Sequence, residues 1–377
     1  MKQWTTTWGT SSAPAPRSEC NYAKNTTFRY GIPVLSNGEK IRISLSNLYS
    51  NEDCSIVSAS IGFSKGIGEK KTYGVIPLTF KGKSECEIKA FSFATSDEID
   101  LKVKKGDILN VSFYIKDVTK MATATPLTGK YSYGFICEGN YTMSEDLPLV
   151  KELTTSRYYF ISQVDVLGEN ESGFTFFGDS ITSFCWTDEL KTLLIENEKS
   201  CPAIVRKSIA GGEVWIDYDA WNFRHYGASG IKRFEREICE SNNCDNIFVF
   251  HGINDIIHPN NTTYRPLSNL PSIEKMIDGF KYYVDVARKH NKKIYFTTIL
   301  PFKGWRTYDN ERNEIRKALN EWIRTTSLID GYVDFDMAIR DENDFDKIPA
   351  PLTDDNLHPS LLGAKLLAKT FYDKFFK

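Results

Sequence analysis

Long apolar runs are missing from this 377-residue chain. No stretch approaches the length that spans a bilayer, so no membrane-spanning helix is expected. The N-terminus, Met1-Lys2-Gln3-Trp4, has no apolar signal core. The chain therefore reads as cytoplasmic as written, or as the mature form of a secreted protein whose signal peptide has been removed. An excess of one charge is also missing. A formal charge of −2 creates no global field for nucleic acid or an anionic membrane, and neither partner is expected. Paired cysteine motifs are absent. The eight cysteines (Cys20, Cys54, Cys86, Cys137, Cys185, Cys201, Cys239 and Cys244) contain no CxxC pair, which argues against a zinc ribbon. Cys239 and Cys244 are close enough to bridge a loop, but unpaired buried thiols are the expectation in a chain this large. His225, His251 and His258 form no HxH or HExxH pair, and no metal or cofactor is expected. The sequons at Asn25, Asn110 and Asn140 matter only in a eukaryotic secretory pathway. Internal repeats and low-complexity segments are lacking as well.

What is present is an ordinary globular composition, rich in Phe and Tyr. The length suits two domains rather than one core. Residues 1–168 read as all-β. Ile41–Ser46, Ile99–Val103 and Ile108–Ile115 alternate apolar and polar residues, and turn signals such as Ser36-Asn37-Gly38 and Lys105-Gly106-Asp107 separate them. Many short strands without helical periodicity predict an antiparallel sandwich of jelly-roll type. The last strand is expected at Tyr158–Val166, followed by the polar linker Leu167–Gly173.

Residues 169–377 change to strand–helix alternation. Strands are expected at Phe174–Phe177, Ala203–Lys207, Asn246–Phe250, Lys293–Thr298 and Tyr332–Phe335. Helices are expected at Asp188–Glu198, Gly230–Glu240, Ser272–His290, Asn310–Thr325 and Leu361–Phe375. This pattern predicts an α/β domain, a flavodoxin-like three-layer α/β/α sandwich on a five-stranded parallel sheet. Its chemistry is expected at the carboxyl ends of the strands.

Four loops at that rim hold a coherent set. After the first strand comes Gly178-Asp179-Ser180. After the second comes Ser208-Ile209-Ala210-Gly211-Gly212-Glu213. After the third comes His251-Gly252-Ile253-Asn254-Asp255. Ahead of the last helix lies Asp355-Asn356-Leu357-His358. Taken alone, Ser180 is more readily a helix cap than a nucleophile. In company the balance reverses. A serine hydroxyl needs a base, and the imidazole of His358 can serve as one. Asp355, three residues earlier, can orient the imidazole. Backbone N–H groups at Ser180 and Gly212 and the Asn254 amide can meet the oxyanion of an acyl-transfer intermediate. Of the two adjacent glycines, Gly212 is the preferred donor because it directly precedes the acidic residue. Asp179 is expected to brace the turn rather than join the triad.

These blocks resemble those of the SGNH (GDSL-type) hydrolase superfamily, over roughly residues 174–377. Within it the chain is similar to members with an N-terminal β-sandwich, through Trp4–Thr10, Arg42–Asn47, Tyr158–Val166, Thr298–Phe302 and Asp330–Asp336. The resemblance implies Ser180 as nucleophile, His358 as base, Asp355 as its partner, and Ser180, Gly212 and Asn254 as the oxyanion hole. Two positions differ from similar proteins. Ser183-Phe184-Cys185-Trp186 stands where a glycine often follows, and Glu213 replaces a small polar residue. Both bear on substrate preference.

Aromatic residues are numerous near the expected rim: Trp186, Trp215, Trp221, Phe223, Tyr226 and Trp305. Trp186, Trp215 and Trp305 are the candidate substrate-binding rings, since sugar faces stack on such surfaces. The expectation is an esterase that removes short acyl groups, acetyl foremost, from a carbohydrate or a small-molecule ester. The alternatives are a lipase or arylesterase for longer or aromatic acyl groups, and a glycan-binding protein with a silent hydrolase domain. The β-domain is expected to serve a structural role.

Overall fold

The computed structural model describes residues 1–16, 22–148, 154–197, 202–218, 223–261 and 265–377. Trp221, Cys20 and Cys201 lie outside them. Two compact units emerge: Met1–Gly173 with Lys199–Val205, and Phe174–Glu198 with Arg206–Lys377.

The first unit contains no α-helix among its described residues. One five-stranded antiparallel sheet sets Ile161–Gly168 between Gln3–Gly9 and Gly38–Ser46. The far edge of Gly38–Ser46 pairs with Phe93–Thr95 and Ile99–Val103. The other runs Tyr133–Glu138, Thr26–Pro33, Ile108–Ile115, Ser58–Ser64, Tyr73–Leu78. The two-residue period of a strand sends Ile41, Ile43 and Leu45 from one sheet, and Leu109, Val111 and Phe113 from the other, into a single core. Phe28 and Phe113, opposite each other across two strands, stack with centroids 5.2 Å apart. Asn47 donates to the carbonyls of Glu52 and Ile88 and so ties two loops together.

The C-terminal half of the chain forms a parallel sheet in the order Ile204–Ser208, Phe174–Gly178, Asn246–Phe250, Lys293–Thr297, Gly331–Val333, that is 2-1-3-4-5 in chain order. This is the flavodoxin-like arrangement. Helices Trp186–Asn197 and Leu361–Phe376 pack together in one layer. Gly230–Glu240, Ile273–Lys289 and Asn310–Thr325 pack in series in another. Capping side chains start three of these helices. Ser272 accepts from the Lys275 N–H, Asp309 from Arg312 and Ser360 from Gly363. The last strand ends earlier than its sequence suggests, because Asp334 accepts the Met337 N–H and starts a short helix at Phe335–Ile339.

Trp186 is a core residue and not a rim residue. Its ring is 1 % exposed, edge-on to Phe176 at 5.0 Å and to Phe335 at 5.2 Å. Starting the helix at Trp186, two residues before the expected Asp188, turns the ring inward among Phe176, Phe250, Phe335 and Phe371. Burial there contributes roughly 3 kcal/mol. Cys239 and Cys244 are both free thiols, as are Cys54, Cys86, Cys137 and Cys185. No described helix is long and apolar enough to cross a membrane.

Candidate active site

Gly178 ends the first strand where no side chain fits. A Cβ there would sit 2.3 Å from the Phe250 carbonyl and 2.4 Å from Thr182 Oγ1. The chain then turns into a short helix at Ser180–Ser183. Its N-cap is Asp179, whose carboxylate accepts the Ile181 N–H at 3.0 Å. The capping task thus falls to Asp179, and the Ser180 hydroxyl is left for another partner. That partner is His358: Ser180 Oγ lies 2.9 Å from His358 Nε2.

His358 sits in the loop before the last helix, and Asp355 shapes that loop. One carboxylate oxygen accepts the backbone N–H groups of Leu357 (3.0 Å) and His358 (2.7 Å). The other lies 2.7 Å from His358 Nδ1. Burial alone would raise the Asp355 pKa. The hydrogen bonds from the His358 ring and from the two backbone N–H groups outweigh it and hold the pKa below the ordinary carboxylate value. Because a carboxylate only accepts, Nδ1 carries the proton of a neutral ring. Nε2 then accepts, and the serine hydroxyl donates. Thr353 Oγ1 donates to the His358 carbonyl at 2.8 Å and closes the loop.

The donor side of the site differs from expectation at one position. The Gly212 N–H is donated to the Ile209 carbonyl at 3.0 Å, closing a tight turn. Gly211, at φ +79°, occupies the turn position that favours glycine. Among the described residues no acceptor engages the N–H of Gly211 or of Ser180. The expected donor Gly212 is thus occupied, and its neighbour Gly211 has the unengaged N–H. Asn254 directs one amide N–H to the Gly212 carbonyl at 3.0 Å and keeps the second. The same carbonyl lies 3.1 Å from His251 Nε2, while His251 Nδ1 lies 3.0 Å from Tyr283 Oη. A carbonyl can only accept, so Nε2 bears the His251 proton and the Tyr283 hydroxyl donates to Nδ1. Burial, reinforced by the Arg233 charge, lowers the His251 pKa far enough to keep this ring neutral. Asp255 accepts the backbone N–H groups of Val214 (2.8 Å) and Trp215 (3.3 Å), joining the second loop to the third.

Several supporting groups are hidden in the sequence. Arg233, fully buried, donates to the Gly178 carbonyl at 2.8 Å and to Glu237 at 2.6 Å. Its guanidinium lies 4.0 Å above the Phe177 ring. Its i,i+4 spacing to Glu237 matches an ordinary solvent-facing helix pair, so only its burial reveals its position beneath the Ser180 turn. Glu213 is buried rather than lining an open wall. It accepts from Arg265 (2.6 Å) and from Tyr218 (2.6 Å), with His258 Nδ1 3.1 Å away. Burial raises the Glu213 pKa despite Arg265 and Tyr218. Burial and the charges of Arg265 and Arg306 push His258 down to about 3, so it is neutral at physiological pH. Asp179 is raised to about 7. Burial is the main cause, partly offset by the Ile181 N–H and the Arg233 charge, while Asp255 adds to it.

The aromatic candidates separate. Trp305 stands edge-on to the His358 ring at 6.2 Å. Phe184, passed over among the sequence candidates, stands edge-on to it at 5.1 Å. Trp215 instead lies along the Ile273–Lys289 helix, donating its indole N–H to the Lys275 carbonyl at 2.9 Å. Tyr226 covers Gly211 so closely that a Cβ there would meet its ring at 2.3 Å.

The family model described as GDSL-like lipase/acylhydrolase matches residues 176–366. An acetylxylan esterase from Geobacillus stearothermophilus is 19% identical, with a TM-score of 0.43 over 55% of this chain and 95% of that one. A GDSL-like lipase from Bacteroides thetaiotaomicron is 15% identical, with a TM-score of 0.40 over 54% and 87%. No curated protein matches significantly. The family model covers just over half of the chain and ends before the final turns of the last helix, and by it the chain belongs to the GDSL-like lipase/acylhydrolase family.

Proposed function

We propose that the protein is a serine esterase that removes short acyl groups, acetyl foremost, from a carbohydrate or small-molecule ester. The observation that carries this reading is the hydrogen-bonded chain from Ser180 Oγ to His358 Nε2 and from His358 Nδ1 to Asp355, at 2.9 and 2.7 Å. In this reading Ser180 Oγ attacks the ester carbonyl carbon as its proton passes to His358 Nε2. The tetrahedral oxyanion is met by the N–H groups of Ser180 and Gly211 and by the second N–H of Asn254. Gly211 takes the role first expected of Gly212, whose N–H is occupied. Collapse breaks the ester C–O bond, and the departing alcohol takes the proton from Nε2. Water then gives a proton to Nε2 and attacks the acyl-enzyme. Collapse releases the carboxylic acid and returns the proton to Ser180.

The preference for a short acyl group is supported by crowding. Phe184 flanks His358, and Tyr226 closes over Gly211. The carbohydrate preference is supported by Trp305 beside His358, one of the three tryptophans first considered, with Trp186 in the core and Trp215 docked on a helix. The test is acid release from acetylated glycans and from 4-nitrophenyl esters of increasing chain length. Rates should fall beyond butyrate, and Ser180→Ala should lose at least about 10⁴-fold in kcat. Acetate release surviving in the folded Ser180→Ala protein would refute the assignment.

A further inference from the structure

We infer that Arg306 is a specificity residue that selects ester substrates carrying a carboxylate, such as acylated acidic sugars, over neutral ones. The inference rests on the esterase reading above and concerns the same site.

Arg306 is exposed on the loop between the fourth strand and the Asn310–Thr325 helix. Its guanidinium carbon lies 4.6 Å from the centroid of the Trp305 ring, and its Nε donates to Asn261 Oδ1 at 2.6 Å. Stacking and one hydrogen bond hold the side chain from two directions. The cost of ordering an arginine is therefore already met before a ligand arrives. The platform is itself next to the chemistry, since Trp305 stands 6.2 Å from the His358 ring. The Arg306 charge also acts on Tyr226, which covers Gly211, and on His258, whose ring stacks on Tyr226.

Arg306 differs from Arg265 and Arg312 in having no counter-ion among the described residues. Arg265 is paired with Glu213, and Arg312 with Asp309. Among the described residues no carboxylate lies within ion-pair distance of Arg306. The two terminal nitrogens have no protein partner there, and they form the fork that binds a carboxylate in bidentate fashion. A neutral sugar needs no such group. A fixed, unneutralised fork beside an aromatic platform suits a sugar ring that bears an acid.

The experiment compares acetylated polyuronide with acetylated xylan as substrates for the wild-type protein, Arg306→Ala and Arg306→Lys, with 4-nitrophenyl acetate as the measure of esterase competence. Wild type should favour the uronide in kcat/KM. Arg306→Ala should reduce the uronide-to-xylan ratio about tenfold or more, through KM rather than kcat, and lysine should restore part of it, because it keeps the charge but loses the fork. Raising salt to about 0.5 M should shrink the wild-type ratio, since exposed charge pairs are screened. A ratio near one in wild type, or a ratio that Arg306→Ala leaves unchanged while 4-nitrophenyl acetate is hydrolysed, overturns the inference and leaves the esterase reading standing. A wild-type protein that hydrolyses none of the three esters overturns both.

Discussion

Replacing Asp355 by asparagine should damage the protein more than replacing it by alanine. Asp355 uses both oxygens, one for the N–H groups of Leu357 and His358 and one for His358 Nδ1. Asparagine has only one oxygen. Two backbone donors outweigh one ring donor, so the amide oxygen should turn to the backbone and the NH₂ should face Nδ1. The ring must then carry its proton on Nε2, which donates to the Ser180 hydroxyl and can no longer act as its base. Loss of charge adds to this. Opposite charges about 4 Å apart attract by roughly 4 kcal/mol at an effective dielectric of about 20 and roughly 1 kcal/mol in water. The Asp355 side chain is 42% exposed and that of His358 25%, so about 1–3 kcal/mol is expected, or roughly tenfold to hundredfold in rate. Tautomer inversion takes the total for Asp355→Asn to the order of 10³–10⁴. Alanine leaves Nδ1 to water and does not invert the ring, so Asp355→Ala should retain at least about tenfold more activity than Asp355→Asn. The assay is kcat/KM on 4-nitrophenyl acetate near pH 8, with thermal melts to check folding. A folded Asp355→Asn protein within tenfold of wild type, or an alanine variant clearly worse than the asparagine one, would refute the reasoning.

Two further outcomes are expected. Asn254→Ala should lower kcat by about 10²–10³ with little change in KM, since the donor it removes acts on the oxyanion; a loss confined to KM would argue that Asn254 only props the Gly212 carbonyl. Asp179 has a folded pKa of about 7 against an unfolded value near 3.8, so the native state binds its proton more tightly. Its contribution to stability is complete below about pH 4 and is lost as pH rises through 7. Asp179→Asn keeps a capping oxygen without the charge, so its melting temperature relative to wild type should climb between pH 4 and pH 8, and a flat difference across that range would contradict the assigned shift.

Much of the molecule was legible because its patterns are local. Alternation at Ile41–Ser46 and Ile108–Ile115 reports which side chains face a core, and the structure buries Ile41, Ile43, Leu109 and Val111 accordingly. The strand–helix rhythm from Phe174 onward dictates a parallel sheet, since parallel neighbours require long crossovers. The order of that sheet then follows from one reversal after the second strand. Ser180, His358, Asp355 and Asn254 stood out because each follows a strand or precedes the last helix.

Directions and partners were not legible, because they depend on groups distant in sequence. Whether Trp186 faces solvent or core depends on where its helix starts and on Phe335 and Phe371, about 150 residues or more away. Which of two adjacent glycines keeps a free N–H depends on the turn that joins Gly212 to the Ile209 carbonyl. Arg233 and Arg306 have the same chemistry in the sequence, yet one is buried beneath Gly178 with Glu237 and the other stacks on Trp305 at the surface. The sequence by itself determined the two fold classes and offered the candidate site groups, since both follow from residue type and local period. Tertiary structure alone decided which donors remain free and which charges lack partners, because hydrogen-bond and ion-pair satisfaction is settled only when distant segments meet.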